Sequence, residues 1–245
     1  MTKGYSHTIE WAADQVLVDG RSYPFTLRRD ARARRMLLRV MPRDGEVVLV
    51  LPKRASLQAG RQFMAEQAGW ILARQAERPQ SPPWADGGSV PFLGETLTIR
   101  HCPQARARGA VWREGGELLV AGQPEHLARR LRDWLKVRAR EEFTAQARSL
   151  AAGEGLAISR VTVRDTSSRW GSCSAGGNLS FSWRLIMAPP AIVRYMVAHE
   201  VAHLRHMDHS DAFWRLVARL SGGEAEMRTA RHWLKRHGAA LHLVG

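Results

Sequence analysis

The segment PPAIVRYMVAHEVAHLRH, residues 189–206, constrains the fold more than any other. Ile192, Val193, Tyr195, Met196, Val197, Val201 and Leu204 wrap nearly the whole circumference of a helix, with Pro190 placed in its first turn. A helix apolar on almost every side has to be buried, so the rest of the chain must build a core around it. The 245 residues, 44% of them hydrophobic, suffice for that. Yet the same helix carries His199, Glu200 and His203. Each of these buried without a partner would cost about 1–3 kcal/mol, so a bound species is expected to satisfy them.

His199 and His203 are four residues apart, hence one helical turn along the axis and about 40° around it. Two neutral imidazoles so placed can direct their nitrogens at a common Zn²⁺ with bonds of about 2 Å. Glu200 lies too far round the helix to share that ligand position, but it can reach a water on the metal and act as general base. A zinc hydrolase needs a third protein ligand and an open fourth position. His206 shares the face of the first two histidines but sits about 10 Å along the axis from His199. His209 instead follows Met207-Asp208 and precedes Ser210, an N-cap for a helix expected over 211–220 that carries Phe213, Trp214, Leu216 and Val217. A corner between the two helices would fold His209 over the open side of the first two ligands, which favours it over His206. His232, His237 and His242 read as surface or packing residues.

The N-terminal third reads as strands over 15–18, 23–27, 36–40 and 46–51, broken by Asp19-Gly20, Pro42 and the hairpin signal Asp44-Gly45. Ser56 is expected to cap a helix to about Glu77 with Phe63, Met64, Trp70 and Ile71 on its apolar face. Residues 80–89, with Pro82-Pro83 and Gly87-Gly88, read as a connector. Short strands follow over 96–100, 111–113 and 117–121, then a long helix over 124–152 with Leu127, Leu131, Trp134, Leu135 and Phe143 on one stripe. Strands over 161–163 and 179–183 flank a turn at 169–177, and a strand just ahead of the histidine helix could offer its edge to an extended peptide. No internal repeat is visible. The pattern predicts an α+β protein with a β-rich N-terminal region, 1–122, and a helical C-terminal region, 123–245, built around an active-site helix.

Composition narrows the setting. No stretch approaches 18 uninterrupted apolar residues, and the N-terminus lacks a signal-peptide pattern, so neither a membrane span nor secretion is expected. Two cysteines, Cys102 and Cys173, are too few for a disulfide framework or an all-cysteine zinc site, and point to a reducing, cytoplasmic setting. Cys173 reads as a packed small residue rather than a redox-sensitive thiol or an inhibitory ligand. The formal net charge of +14 would draw in nucleic acid, anionic lipid or acidic substrates. The densest basic cluster, Arg28, Arg29, Arg32, Arg34, Arg35 and Arg39, fits an exposed hairpin edge protected by its charges better than a phosphate site.

The motifs Arg169-Trp170-Gly171-Ser172-Cys173, Phe181-Ser182-Trp183-Arg184-Leu185, Ala188-Pro189-Pro190, His199-Glu200-Val201-Ala202-His203-Leu204 and His209-Ser210 through Phe213-Trp214 occur in that order. With that spacing the chain resembles the YgjP-like family of predicted metal-dependent hydrolases, relatives of the SprT-like zinc metallopeptidases, over about residues 23–242. The resemblance implies a compact zincin-type fold with His199 and His203 as the first two ligands, Glu200 as the general base and His209 as the third ligand. Asp208 stands where Asn is common and Asp211 where Pro is common; both adjoin a ligand without removing a catalytic group. The expected function is zinc-dependent peptide hydrolysis on a peptide or protein substrate. The alternatives are a metal-dependent nucleotide or phosphoanhydride hydrolase, encouraged by the charge, and a nucleic-acid-binding protein with a structural zinc.

Overall fold

The structure, a computed structural model, describes residues 9–11, 15–41, 45–77, 84–104, 109–166 and 169–244. It is an α+β protein, β-rich in its N-terminal half and helical in its C-terminal half, and its chain divides into two compact units, Met1–Gln80 and Ser81–Gly245.

In the first unit β1 (Ile9–Trp11), β2 (Gln15–Val18), β3 (Arg21–Asp30), β4 (Leu37–Val40) and β5 (Val47–Pro52) form one sheet in the order β1-β2-β3-β5-β4. The β2–β3 hairpin turns over Asp19 and Gly20, with φ of 50° and 74°, the left-handed pair that matches the twist of the strands. β3 and β5 run parallel, and β4 pairs antiparallel with β5 at the sheet edge. The β4–β5 hairpin forms as expected, although Asp44 lies outside the described residues. The arginine cluster runs from the end of β3 through the connection into this edge strand, and Arg29 within it donates to the Lys53 and Ala55 carbonyls. Period-two alternation buries Val47, Leu49 and Leu51 against Met64, Ala68 and Ile71. Ser56 caps α1 (Leu57–Glu66) by accepting from the Ala59 N–H. The single helix expected to Glu77 breaks at Gln67 (φ −99°, ψ 8°), and α2 (Ala68–Ala76) continues beyond it. Trp70, expected on the apolar face, is 38% exposed; with the break, Met64, Ala68 and Ile71 supply the core contacts instead.

The second unit opens with β6 (Ser89–Phe92), β7 (Glu95–Cys102), β8 (Val111–Glu114) and β9 (Glu117–Ala121), in the order β6-β7-β9-β8. Ser89 therefore begins a strand rather than closing the connector, of which residues 80–83 lie outside those described. A 3₁₀ turn, Pro124–His126, leads into α3 (Leu127–Gly153), whose Leu127, Leu131, Leu135 and Phe143 are buried as the stripe required. β10 (Arg160–Arg164), β11 (Gly171–Cys173) and β12 (Asn178–Ser182) form a third sheet in the order β10-β12-β11. The strand expected over 179–183 is thus central, and the sheet's edge strands are β10 and β11, the latter inside the segment read as a turn. A second 3₁₀ turn, Trp183–Met187, is followed by α4 (Pro190–Ala202), α5 (Asp211–Ser221) and α6 (Glu224–Leu241). Leu97, Ile99 and Leu118 of the β6–β9 sheet share one core with Leu131 and Leu135 of α3 and Val197 of α4. That shared core puts the compact-unit boundary at Gln80/Ser81, ahead of the 122/123 division drawn from the sequence. Among the described residues no helix is long and apolar enough to cross a membrane.

Candidate metal centre

α4 is buried on nearly all sides through Ile192, Val193, Tyr195, Met196, Val197, Ala198, Val201 and Ala202. It ends at Ala202, so that His203 stands at the C-cap and the chain turns immediately, ahead of the corner expected to carry His209. In that turn the Ser210 N–H donates to Asp208 Oδ1 at 3.2 Å, and the hydroxyl of Ser210 makes no capping bond, although Ser210 occupies the N-cap position of α5. The Ser210 side chain and backbone hold the Asp208 carboxyl below its usual range. Asp208 thus helps shape the corner that carries His209.

The corner brings the three predicted histidines together. One ring nitrogen from each of His199, His203 and His209 lies within 4.8 Å of the others, and His199 Nε2 and His209 Nε2 are 3.4 Å apart. Two nitrogens bound to one tetrahedral cation by bonds of 2.0–2.1 Å would be separated by about 3.3–3.4 Å. His203 Nδ1 lies 3.0 Å from the His206 carbonyl oxygen. A carbonyl only accepts, so Nδ1 carries the proton and Nε2 keeps its lone pair for a ligand bond. His206 therefore contributes its backbone, while its ring stays outside the cluster, as do those of His232, His237 and His242.

Aromatic walls fix the rings. Phe213 stacks on His203 with centroids 4.5 Å apart and meets His199 edge-on at 5.0 Å; Trp214 lies 5.6 Å from His209. Burial pushes His199 down to about 3, helped by the neighbouring His203, His209 and Arg231, and burial also lowers His203. Both shifts favour the neutral, ligating imidazole. The buried Nδ1 of His199 has no hydrogen-bond partner among the described residues, while its Nε2 is the nitrogen that faces His209. Three convergent imidazoles with these separations fit one metal ion.

Glu200 is 3% exposed, and burial raises its carboxyl to about 8 against the opposing pull of Arg169. Backbone of β11 lies directly over it: a Cβ on Gly171 would come within 2.4 Å of Glu200 Oε1. The sequence reading quoted Gly171 in a motif without giving it this role. A glycine inside a strand is the signal that could have done so, since it often marks close approach by another group. Arg169, Arg231 and Tyr195 were also missed. The Arg231 guanidinium sits 4.6 Å from the Trp214 ring centre, and the Tyr195 ring lies 6.1 Å from that of His199. Arg231 arrives from α6, and no local pattern announces it. Cys173 is partly buried; burial, then Glu200, pushes its thiol up to about 11, so it stays protonated and is a poor ligand.

Neither a search of curated proteins nor one of solved structures gives a match. The model of one family does match, over residues 34–237, a span that takes in the whole histidine cluster, Glu200 and the strand that covers it; the chain belongs to the YgjP-like family, and the matched domain is of metallopeptidase type.

Proposed function

We propose that the protein is a zinc-dependent metallopeptidase whose region 123–245 carries the chemistry, with His199, His203 and His209 as zinc ligands and Glu200 as general base. The observation that carries this reading is the convergence of three imidazole nitrogens within 4.8 Å beside a buried carboxylate on the same helix. When bound, zinc supplies Lewis acidity, lowering the pKa of water at the open position toward 7 and polarising a carbonyl. Glu200 takes the proton of the attacking water and later delivers it to the leaving amine. Gly171 leaves the carboxylate room to face the substrate.

The substrate is an extended peptide laid along β11. The Ser182 N–H donates to the Trp170 carbonyl at 2.8 Å and the Ser174 N–H to that of Asn178 at 3.0 Å. Antiparallel alternation then turns the N–H and C=O of Gly171 and Cys173 toward the free edge, where another strand can add. Both cysteines are free, which supports the cytoplasmic setting expected from composition.

Zinc-loaded wild type and Glu200→Gln, assayed against unfolded polypeptides and nucleoside triphosphates, test the proposal. Wild type is expected to cleave polypeptide, and the variant to retain zinc while losing about 10²–10⁴-fold in turnover. An equally active variant removes Glu200 from the mechanism. Turnover of triphosphates alone assigns the site to phosphoanhydrides, and zinc with nucleic-acid binding but no hydrolysis makes the metal structural.

A further inference from the structure

The outer face of the β10–β12–β11 sheet forms a groove of about 580 Å³ whose lining includes Arg160, Arg164 and Arg169 and the hydroxyls of Thr162 and Ser180. No carboxylate lines it. Elsewhere in this unit arginines find acidic partners, as Arg100 does with Glu117, Arg113 with Glu95 and Arg219 with Glu154. Arg160 and Arg164 are exposed, and neither forms an ion pair with a described residue. A second, independent feature lies in the same lining. Ser182 is 1% exposed, and its Oγ has no hydrogen-bond partner among the described residues, so the groove holds a buried polar group as well as uncompensated positive charge.

One residue links the groove to the proposed catalytic site. Gly171 is both part of its lining and the residue packed against Glu200. Arg160 and Arg164 project from one face of β10 four residues apart, about 13 Å along the strand. Carboxylates at positions i and i+4 of an extended peptide repeat at the same distance. A phosphodiester chain is the other polyanion of suitable charge, but single strands gain affinity by stacking bases on aromatic faces. The one aromatic side chain in the lining, Phe181, is 1% exposed, so the groove offers charge and hydroxyls without a stacking surface.

We propose that this groove binds acidic side chains of the polypeptide substrate, so that cleavage is directed to sites beside acidic segments. The inference rests on the peptidase reading and names its substrate class. The overall charge of +14 attracts any polyanion, so the test must depend on the groove residues themselves.

Full-length, zinc-loaded Glu200→Gln is titrated with fluorescein-labelled decapeptides carrying acidic, amide or basic side chains at alternate positions, and with an oligothymidylate of equal charge. The acidic peptide is expected to bind about tenfold more tightly than its amide counterpart at low salt, with the advantage shrinking as salt rises. Adding Arg160→Gln and Arg164→Gln should abolish the advantage, and Arg160→Glu with Arg164→Glu should shift it to the basic peptide. Circular dichroism melts report whether the variants fold, and the single Arg164→Gln change provides a milder version. Equal binding of the three peptides, or an acidic preference that survives both double substitutions, overturns the proposal. Tighter, arginine-dependent binding of the oligothymidylate overturns it in favour of a phosphodiester site. An acidic preference without any cleavage by wild type supports the groove and overturns the peptidase reading; cleavage by wild type without charge preference does the converse.

Discussion

The sheet of the first unit, read from β2, and the β6–β9 sheet of the second share one connection order. Each has a hairpin over two residues of positive φ, Asp19-Gly20 and Leu93-Gly94, then a parallel central pair with an antiparallel edge strand taken from the chain between them. The β10–β12 sheet is a shortened third instance, with its own parallel pair and its edge strand β11. What separates them is the edge strand and the helix that follows. In the first unit β4 carries Leu37 and Arg39 at the edge, and α1 closes over Leu49 and Leu51 through Gly60. In the third, β11 is Gly-Ser-Cys, and the covering helix brings Glu200 against Gly171. One plan yields a closed apolar core in one case and a candidate catalytic centre in the other, and the size of the residues where strand meets helix makes the difference.

The largest expected effects test whether the two cores are separate. Among the described residues the two clusters share no member. Phe181→Ala, in β12, should cost about 3–5 kcal/mol and lower zinc affinity with it, whereas Leu49→Ala, in β5, should cost about 2–5 kcal/mol and leave zinc affinity unchanged. Calorimetry with zinc titration decides this, and loss of zinc in Leu49→Ala would break the comparison.

Removing a ligand comes next. His209→Ala should weaken zinc at least about a hundredfold and His206→Ala only slightly, since the latter keeps the backbone carbonyl that orients His203. The reverse order in metal titrations would reassign the third ligand. The glycine pair sharpens the contrast further. A Cβ on Gly60 would meet only Leu51 and Leu49 side-chain carbons at 3.0–3.3 Å, so Gly60→Ala should act on stability, by about 1–3 kcal/mol. Gly171→Ala displaces the Glu200 carboxylate and should lower kcat about tenfold or more while zinc stays bound. Equal activity of the two variants would deny β11 any part in placing Glu200.

The smallest effect is a pH slope in the metal-free protein. Glu200 is raised from 4.5 to about 8, so between those values the folded chain holds a proton the unfolded chain has lost, and stability falls as pH rises. His199, lowered from 6.5 to about 3, acts oppositely, losing stability as pH falls through that window. Glu200→Gln removes the first slope and should raise the melting temperature near pH 8 by a few degrees relative to wild type. An unchanged difference between pH 5 and pH 8 would show that Glu200 is not buried as a proton-bearing acid.

Much of the candidate site could be read from local spacing because its central parts are local. His199 and His203 meet through the helical period, and a polar group on an otherwise apolar helix is a conflict visible in one dimension. His209 required only that the chain turn between two helices, which Ser210 and the apolar residues of α5 announced. The short strands β1 and β6 went unread, having only three and four residues each to display a period. The repeated connection order was equally hidden, since parallel pairing of β3 with β5 and β7 with β9 joins segments whose side chains need only be apolar, not alike.

The sequence by itself determined which residues can hold a metal and which helix must be buried, because periodicity and the cost of an unpartnered polar group act over a few residues. Only the tertiary structure decided that Gly171 covers Glu200, that Arg231 reaches the histidines from α6, and that three arginines line one groove. Those contacts depend on where distant segments pack, and packing is settled by complementary shape and charge summed over the whole core, which no short stretch of chain encodes.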